Sequence, residues 1–135
     1  MQEMSRRGSL THLEARHYAI IVLVLLTASL HFGAAFDRSF FPSGPDPLFT
    51  LNGLGYLGLL GAYFLPIPFL QARHKLVWWA LFIYIIVTIV AWLVIWVGLN
   101  VIAQHVPFFS RDTLYGGPAK ISEVILLFLL WRDKP

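Results

Sequence analysis

Few side chains in this sequence could do chemistry inside an apolar environment, and two of them share one stretch. In Tyr115-Gly-Gly-Pro-Ala-Lys-Ile-Ser-Glu-Val-Ile-Leu-Leu-Phe-Leu-Leu-Trp131, Lys120 and Glu123 stand at the head of an otherwise apolar run. Their spacing puts both side chains on one helix face, and ionisable groups at membrane depth face a protein interior or a water-filled cavity. His31, Asn52 and Thr88, each in a different apolar stretch, are the candidate partners. Counting the helical rise inward from Tyr18, Leu65, Leu76 and Trp131 puts His31, Asn52, Thr88 and Glu123 roughly 20, 20, 18 and 12 Å deep, with Lys120 at about 16 Å. All five then belong between the membrane centre and its outer half. Polar groups in hydrocarbon need partners, so the expectation is one buried polar network. The alternatives are a working site, either a proton relay through Glu123 and His31 or a small-ligand pocket, and snorkelling of Lys120 and Glu123 to the outer interface.

Other chemistries find less support. His31 could ligate a haem or pigment alone, with the other axial position open or supplied by another subunit; no cofactor is required. His17 and His31 project from nearly the same helix face about four turns apart. Two stacked haems would need an opposing pair, whereas His12, His74 and His105 all fall in terminal or loop positions. The sequence lacks His-Glu-x-x-His, Gly-x-Ser-x-Gly and paired carboxylates within one helix. Ser29, Ser110 and Ser122 have no evident base. With no cysteine there is no disulfide, thiolate metal site or thiol nucleophile, and no metal site is expected. Gly53-Leu-Gly-Tyr-Leu-Gly58 matches a dinucleotide fingerprint, but without a preceding strand or a polar mouth. Enzyme activity is therefore not expected of the isolated chain.

The elements that must position these residues are helices. At 135 residues, 58% hydrophobic and 13% charged, with a mean hydropathy of +0.71, the chain lies outside the soluble globular range. The expectation is an all-α, four-transmembrane-helix bundle in one membrane domain, with spans at about 18–36, 48–65, 76–103 and 116–131 and a loose tail over 1–10. Thr11-His-Leu-Glu14 has the form of a capping box, which starts the first helix near Thr11. A basic tail, an apolar run and Gly33-Ala-Ala35 also fit a cleavable signal peptide; a retained helix is the preferred reading.

Asp37 to Pro47 reads as an exposed loop whose Phe40 and Phe41 could dip into the interface. The second span ends at Pro66-Ile-Pro68. Its Gly53, Gly55, Gly58, Gly61 and Ala62 mark it as the central packing helix, with Gly58 and Ala62 as a small-x-x-x-small pair. Gln71 to Lys75 is a basic connection, and the run from Leu76 to Ala103 is long enough to tilt or protrude. Trp78 and Trp79 fit one interfacial belt, Trp92 and Trp96 the other. Gln104 to Gly117 is the last loop, Pro118 opens the fourth helix, and Arg132-Asp-Lys-Pro135 is a solvated end.

The net charge of +3 sits at helix ends, as a topology signal and not a nucleic-acid footprint. Arg6, Arg7, Arg16, Arg73, Lys75, Arg132 and Lys134 lie on one side, against Arg38, Arg111 and Lys120 on the other. Both termini are therefore expected in the cytoplasm, in a multi-pass protein of a prokaryotic inner membrane.

Leu30-His31-Phe-Gly33, Leu51-Asn-Gly-Leu-Gly-Tyr-Leu-Gly58 and Tyr115 to Glu123 together resemble a group of small prokaryotic four-helix membrane proteins of uncharacterised function. The resemblance covers most of the chain from Tyr18 onward and implies no catalytic residues. Proteins of this size and kind recur as accessory subunits of respiratory and photosynthetic complexes. The expected function is thus a non-catalytic accessory subunit that packs against and stabilises a larger, electron-transfer, membrane complex, with membrane lipid and other integral subunits as partners. The alternative is a small proton-coupled transporter or proton-conducting protein that uses Lys120, Glu123 and His31.

Overall fold

The first helix, α1 (Ala15–Phe36), takes its start from a residue pair rather than from Thr11. Glu14 is the N-cap, and His17 closes the box because its Nδ1 accepts the Glu14 backbone N–H at 3.0 Å. The computed structural model describes residues 13–105, 107 and 111–135, without the side chains of 111 and 112, so Thr11 lies outside the described residues. At the far end of α1, Asp46 caps α2 (Pro47–Phe64), where its carboxylate accepts from the Phe49 N–H at 2.9 Å and Pro47 occupies the first turn.

Two prolines, Pro66 and Pro68, stop α2, and the basic connection that follows contains a short helix, α3 (Pro68–Ala72). The chain then returns through α4 (His74–Trp92), which runs without a break into a π-helical segment, Leu93–Ala103. No residue of the π segment is buried. Its wider i→i+5 turn is echoed by the Asn100 side-chain amide, which donates to the Ile95 carbonyl at 2.9 Å.

The last helix, α5, spans Arg111–Arg132, so Pro118 lies inside it and does not open it. The expected loop to Gly117 and the expected start at 116 are corrected accordingly. A proline in a helix interior removes one backbone bond, but membrane helices tolerate this where side chains re-satisfy the backbone. The donor lost at Pro118 would have served the Leu114 carbonyl; the Ser122 hydroxyl instead donates to the carbonyl of Pro118 itself at 2.7 Å, in the turn that follows.

The helices form an antiparallel ring, α1 against α2 and α5, and α4 against α2 and α5. Contacts between His17 and Asp133 and between Tyr63 and His74 place the start of α1 and the end of α5 at the same end of the ring. Among the described residues all regular structure is helical. Three helical stretches are long and apolar enough to cross a membrane: Ala15–Phe36, His74–Ala103 and Thr113–Arg132. In α2, Asn52 and its glycines dilute the apolar content, so it falls outside that set.

The most extensively packed helix is α1, not α2, because its buried Ala28, Ala34 and Ala35 admit both neighbours closely. On α2 the small residues divide. A Cβ on Gly53 would come within 2.9 Å of the Phe32 ring, and one on Gly55 would collide with the Tyr84 hydroxyl. Gly58 faces open space and a Cβ on Gly61 would meet only Leu65 of the same segment, whereas Ala62 packs against the core. We therefore expect Gly53→Ala or Gly55→Ala to lower stability in detergent by about 1–3 kcal/mol. Gly58→Ala should leave it unchanged or raise it by up to about 1 kcal/mol; thermal unfolding of the three variants checks the ranking.

Candidate functional site

Four helices meet around Glu123, which is wholly buried on α5. Lys120, one turn earlier on the same face, places its ammonium 2.6 Å from Glu123 Oε2 and 3.3 Å from the Thr88 carbonyl on α4. The other carboxylate oxygen, Oε1, accepts from the Tyr56 hydroxyl on α2 at 2.9 Å. The Tyr56 hydroxyl also lies 2.8 Å from Thr88 Oγ, which itself donates to the Ile85 carbonyl at 2.9 Å. The Lys120 side chain is 11% exposed, so this is a closed ring of donors and acceptors with one narrow opening.

Asn52 lies one turn outward from Tyr56 on α2. It does not touch the ion pair. Its amide oxygen accepts from the Tyr84 hydroxyl at 2.6 Å, and the Tyr84 ring stands edge-on to Tyr56 with centroids 5.1 Å apart. The two layers each join α2 to α4 through a phenol.

His31 also stays outside the hydrogen-bonded ring. Its Nδ1 lies 2.8 Å from the Thr27 carbonyl one turn back, and since a carbonyl can only accept, Nδ1 carries the proton. The imidazole is 5% exposed and packs against Tyr56 and Phe49, with centroids 5.6 and 6.1 Å away. Tethering one ring nitrogen to a backbone carbonyl is how ligating histidines are oriented. Here aromatic rings occupy the surroundings, and no cluster of three or more metal-ligating side chains occurs among the described residues.

Several polar groups in these contacts were not singled out from the sequence. Tyr56 and Tyr84 sit in stretches where aromatic residues read as apolar bulk, although a buried phenol almost always finds a partner. Thr27 donates to Ser122 Oγ at 3.2 Å and so joins α1 to α5. The available signal was the sparse hydroxyls of two apolar runs, Thr27 and Ser29 in one and Ser122 in the other.

A second polar cluster lies at the other end of α5, where a solvated tail was expected. Asp133 is only 8% exposed in its side chain. It accepts from the Tyr63 hydroxyl at 2.6 Å, and from His17 Nε2 at 3.0 Å. His17 donates there because its Nδ1 is already an acceptor in the α1 cap. Arg16 Nε lies 3.1 Å from Glu14 and 3.0 Å from Asp133, near enough for ion pairing without an aligned hydrogen bond. The correction has a simple cause: α5 is long enough to carry Asp133 back over the start of α1.

Between the two clusters the interior is apolar. Ile20, Val24, Leu81, Ile85, Leu126 and Leu130 are all fully buried there. Trp78 closes the layer, donating its indole N–H to the Leu130 carbonyl at 2.9 Å.

No protein-family model, curated protein or solved structure matches the chain. What the site can do is therefore read from its geometry. The ring holds a compensated charge pair and joins α2, α4 and α5 in one layer, with His31 of α1 packed at a tilt against Tyr56.

Removing one partner of a buried pair strands the other charge, at a cost of about 3–5 kcal/mol. Lys120→Met and Glu123→Leu should each destabilise the bundle by that order. The double variant should lose less than either single change, because it strands no charge. Equilibrium unfolding of the four proteins in one detergent measures the coupling, and strictly additive losses would contradict a paired role.

Proposed function

We propose that the chain crosses the membrane four times with both termini in the cytoplasm, and acts as a non-catalytic accessory subunit that packs against a larger integral membrane assembly. Lengths are compatible with α2 as the fourth crossing. Its 18 residues extend about 27 Å, close to the thickness of the hydrocarbon core, and it packs along α1 and α4.

The observation that carries the functional reading is the apolar layer between the two polar clusters. Glu123 and Asp133 are separated along α5 by about 15 Å, and Leu126 and Leu130 fill the interval on that helix. A proton pathway would need polar groups or water to continue across this distance. The polar groups instead bond to one another within each layer and hold the helices together. Outward, the long helices present apolar side chains such as Val22, Val87, Val94, Ile102 and Phe128, a surface suited to lipid and to other membrane helices.

The rival reading is proton coupling through Lys120, Glu123 and His31. It draws on the burial of a charged pair at membrane depth. Against it, His31 is bonded to the Thr27 carbonyl and not to Glu123.

Topology can be tested on a chain with no native cysteine. Ser43→Cys and Gln104→Cys should react with an impermeant maleimide from outside intact cells, and Gln71→Cys only after the cells are opened. Native-level protein extracted in mild detergent should migrate well above the monomer mass with a defined set of partners. A monodisperse monomer would defeat the subunit reading. Proton flux into liposomes that falls in Glu123→Gln, with the fold intact, would favour the rival.

A further inference from the structure

The bundle end where Asp133 meets His17 carries more cations than its carboxylates can neutralise. Arg16, Arg73, Lys75, Arg132 and Lys134 all lie there. Glu14 and Asp133 both pair with Arg16, and Asp133 also holds His17. Among the described residues, neither Lys75 nor Lys134 forms a salt bridge.

Lys134 is held by aromatic faces instead. Its Nζ lies 4.9 Å from the Trp131 ring centroid, 5.9 Å from Trp79 and 6.0 Å from Trp78. These rings come from both α4 and α5 and are themselves fixed. Trp78 is fully buried with its indole N–H on Leu130, and Trp79 stands edge-on to it at 4.9 Å. A π face engages the ammonium without using up its three N–H donors, so Lys134 keeps donor capacity for an acceptor outside the rings. Lys75 precedes Trp78 and Trp79 by three and four positions on α4. It therefore projects from the same face, one turn nearer the bundle end.

Tryptophan rings settle at headgroup level in a bilayer, and basic pockets between membrane helices bind anionic headgroups. The geometry points to a binding site for the phosphate of an anionic phospholipid beside the tryptophans of α4 and α5, with Lys134 and Lys75 as its cationic partners. The site needs the chain to lie in a membrane, but not to act as a subunit.

The test uses the full chain in a neutral maltoside detergent, titrated with phosphatidylglycerol, phosphatidylcholine or inorganic phosphate. Tryptophan emission reads the site directly, and native mass spectrometry counts retained lipid. Phosphatidylglycerol should bind at least about tenfold more tightly than phosphatidylcholine. Lys134→Gln and Lys75→Gln should each weaken it by about fivefold, the weight of one surface cation. Arg38→Gln, at the opposite end, should change nothing. Equal affinity for the two lipids, or an equal loss in Arg38→Gln, would overturn the site. Inorganic phosphate competing as well as the lipid would overturn its assignment to a phospholipid. A strictly monomeric chain would count against the subunit reading and leave this result standing.

Discussion

Placing an ammonium and a carboxylate where water is excluded costs several kcal/mol per ion, and mutual attraction offsets that only when the leftover donors and acceptors are also satisfied. The bundle meets this condition at one level. Glu123 spends one oxygen on Lys120 and the other on Tyr56, and Lys120 reaches the Thr88 carbonyl as well. Each of those partners comes with a helix attached. The pair thus determines which faces of α2 and α4 turn toward α5, and the tilted ring contact of His31 with Tyr56 extends the same layer to α1.

Along its axis the molecule alternates in character. One end is tied by Asp133, His17 and Tyr63, the middle is apolar, and the other polar layer surrounds Glu123. The two polar layers have different jobs in the fold. The Asp133 cluster joins the start of α1 to the ends of α2 and α5, whereas the Glu123 ring fixes rotation of the helices about their own axes. The apolar layer between them is fully buried but supplies little specificity, since Leu and Ile side chains pack in many registers. Specificity falls to the hydrogen bonds on either side.

Much of the helical plan was legible in the sequence because long apolar runs bounded by prolines and basic residues leave few alternatives. Pro66 and Pro68 stop α2 as the missing donor requires. Pro118 does not open its helix, because α5 already runs from Arg111. Lys120 and Glu123 stood out because charge is rare in such runs. Asp133 did not, since charge is common at chain ends and only the three-dimensional path of α5 brings it under Arg16 and His17. Tyr56 and Tyr84 were hidden by their rings, which count as apolar even though the hydroxyls carry the contacts. Spacing along α2 did not say which of its glycines face a neighbour within the bundle, as Gly53 and Gly55 do and Gly58 does not.

The charged helix is also made after the helices that supply its partners. When α5 leaves the ribosome, Tyr56 and Thr88 belong to segments already synthesised. Its ionic residues can therefore enter an apolar setting against partners that are waiting for them, whereas the same helix delivered first would have to shed water from both charges alone. The order of elements along the chain doubles as an assembly schedule, and a permuted gene that moved Arg111–Arg132 to the front would lose it.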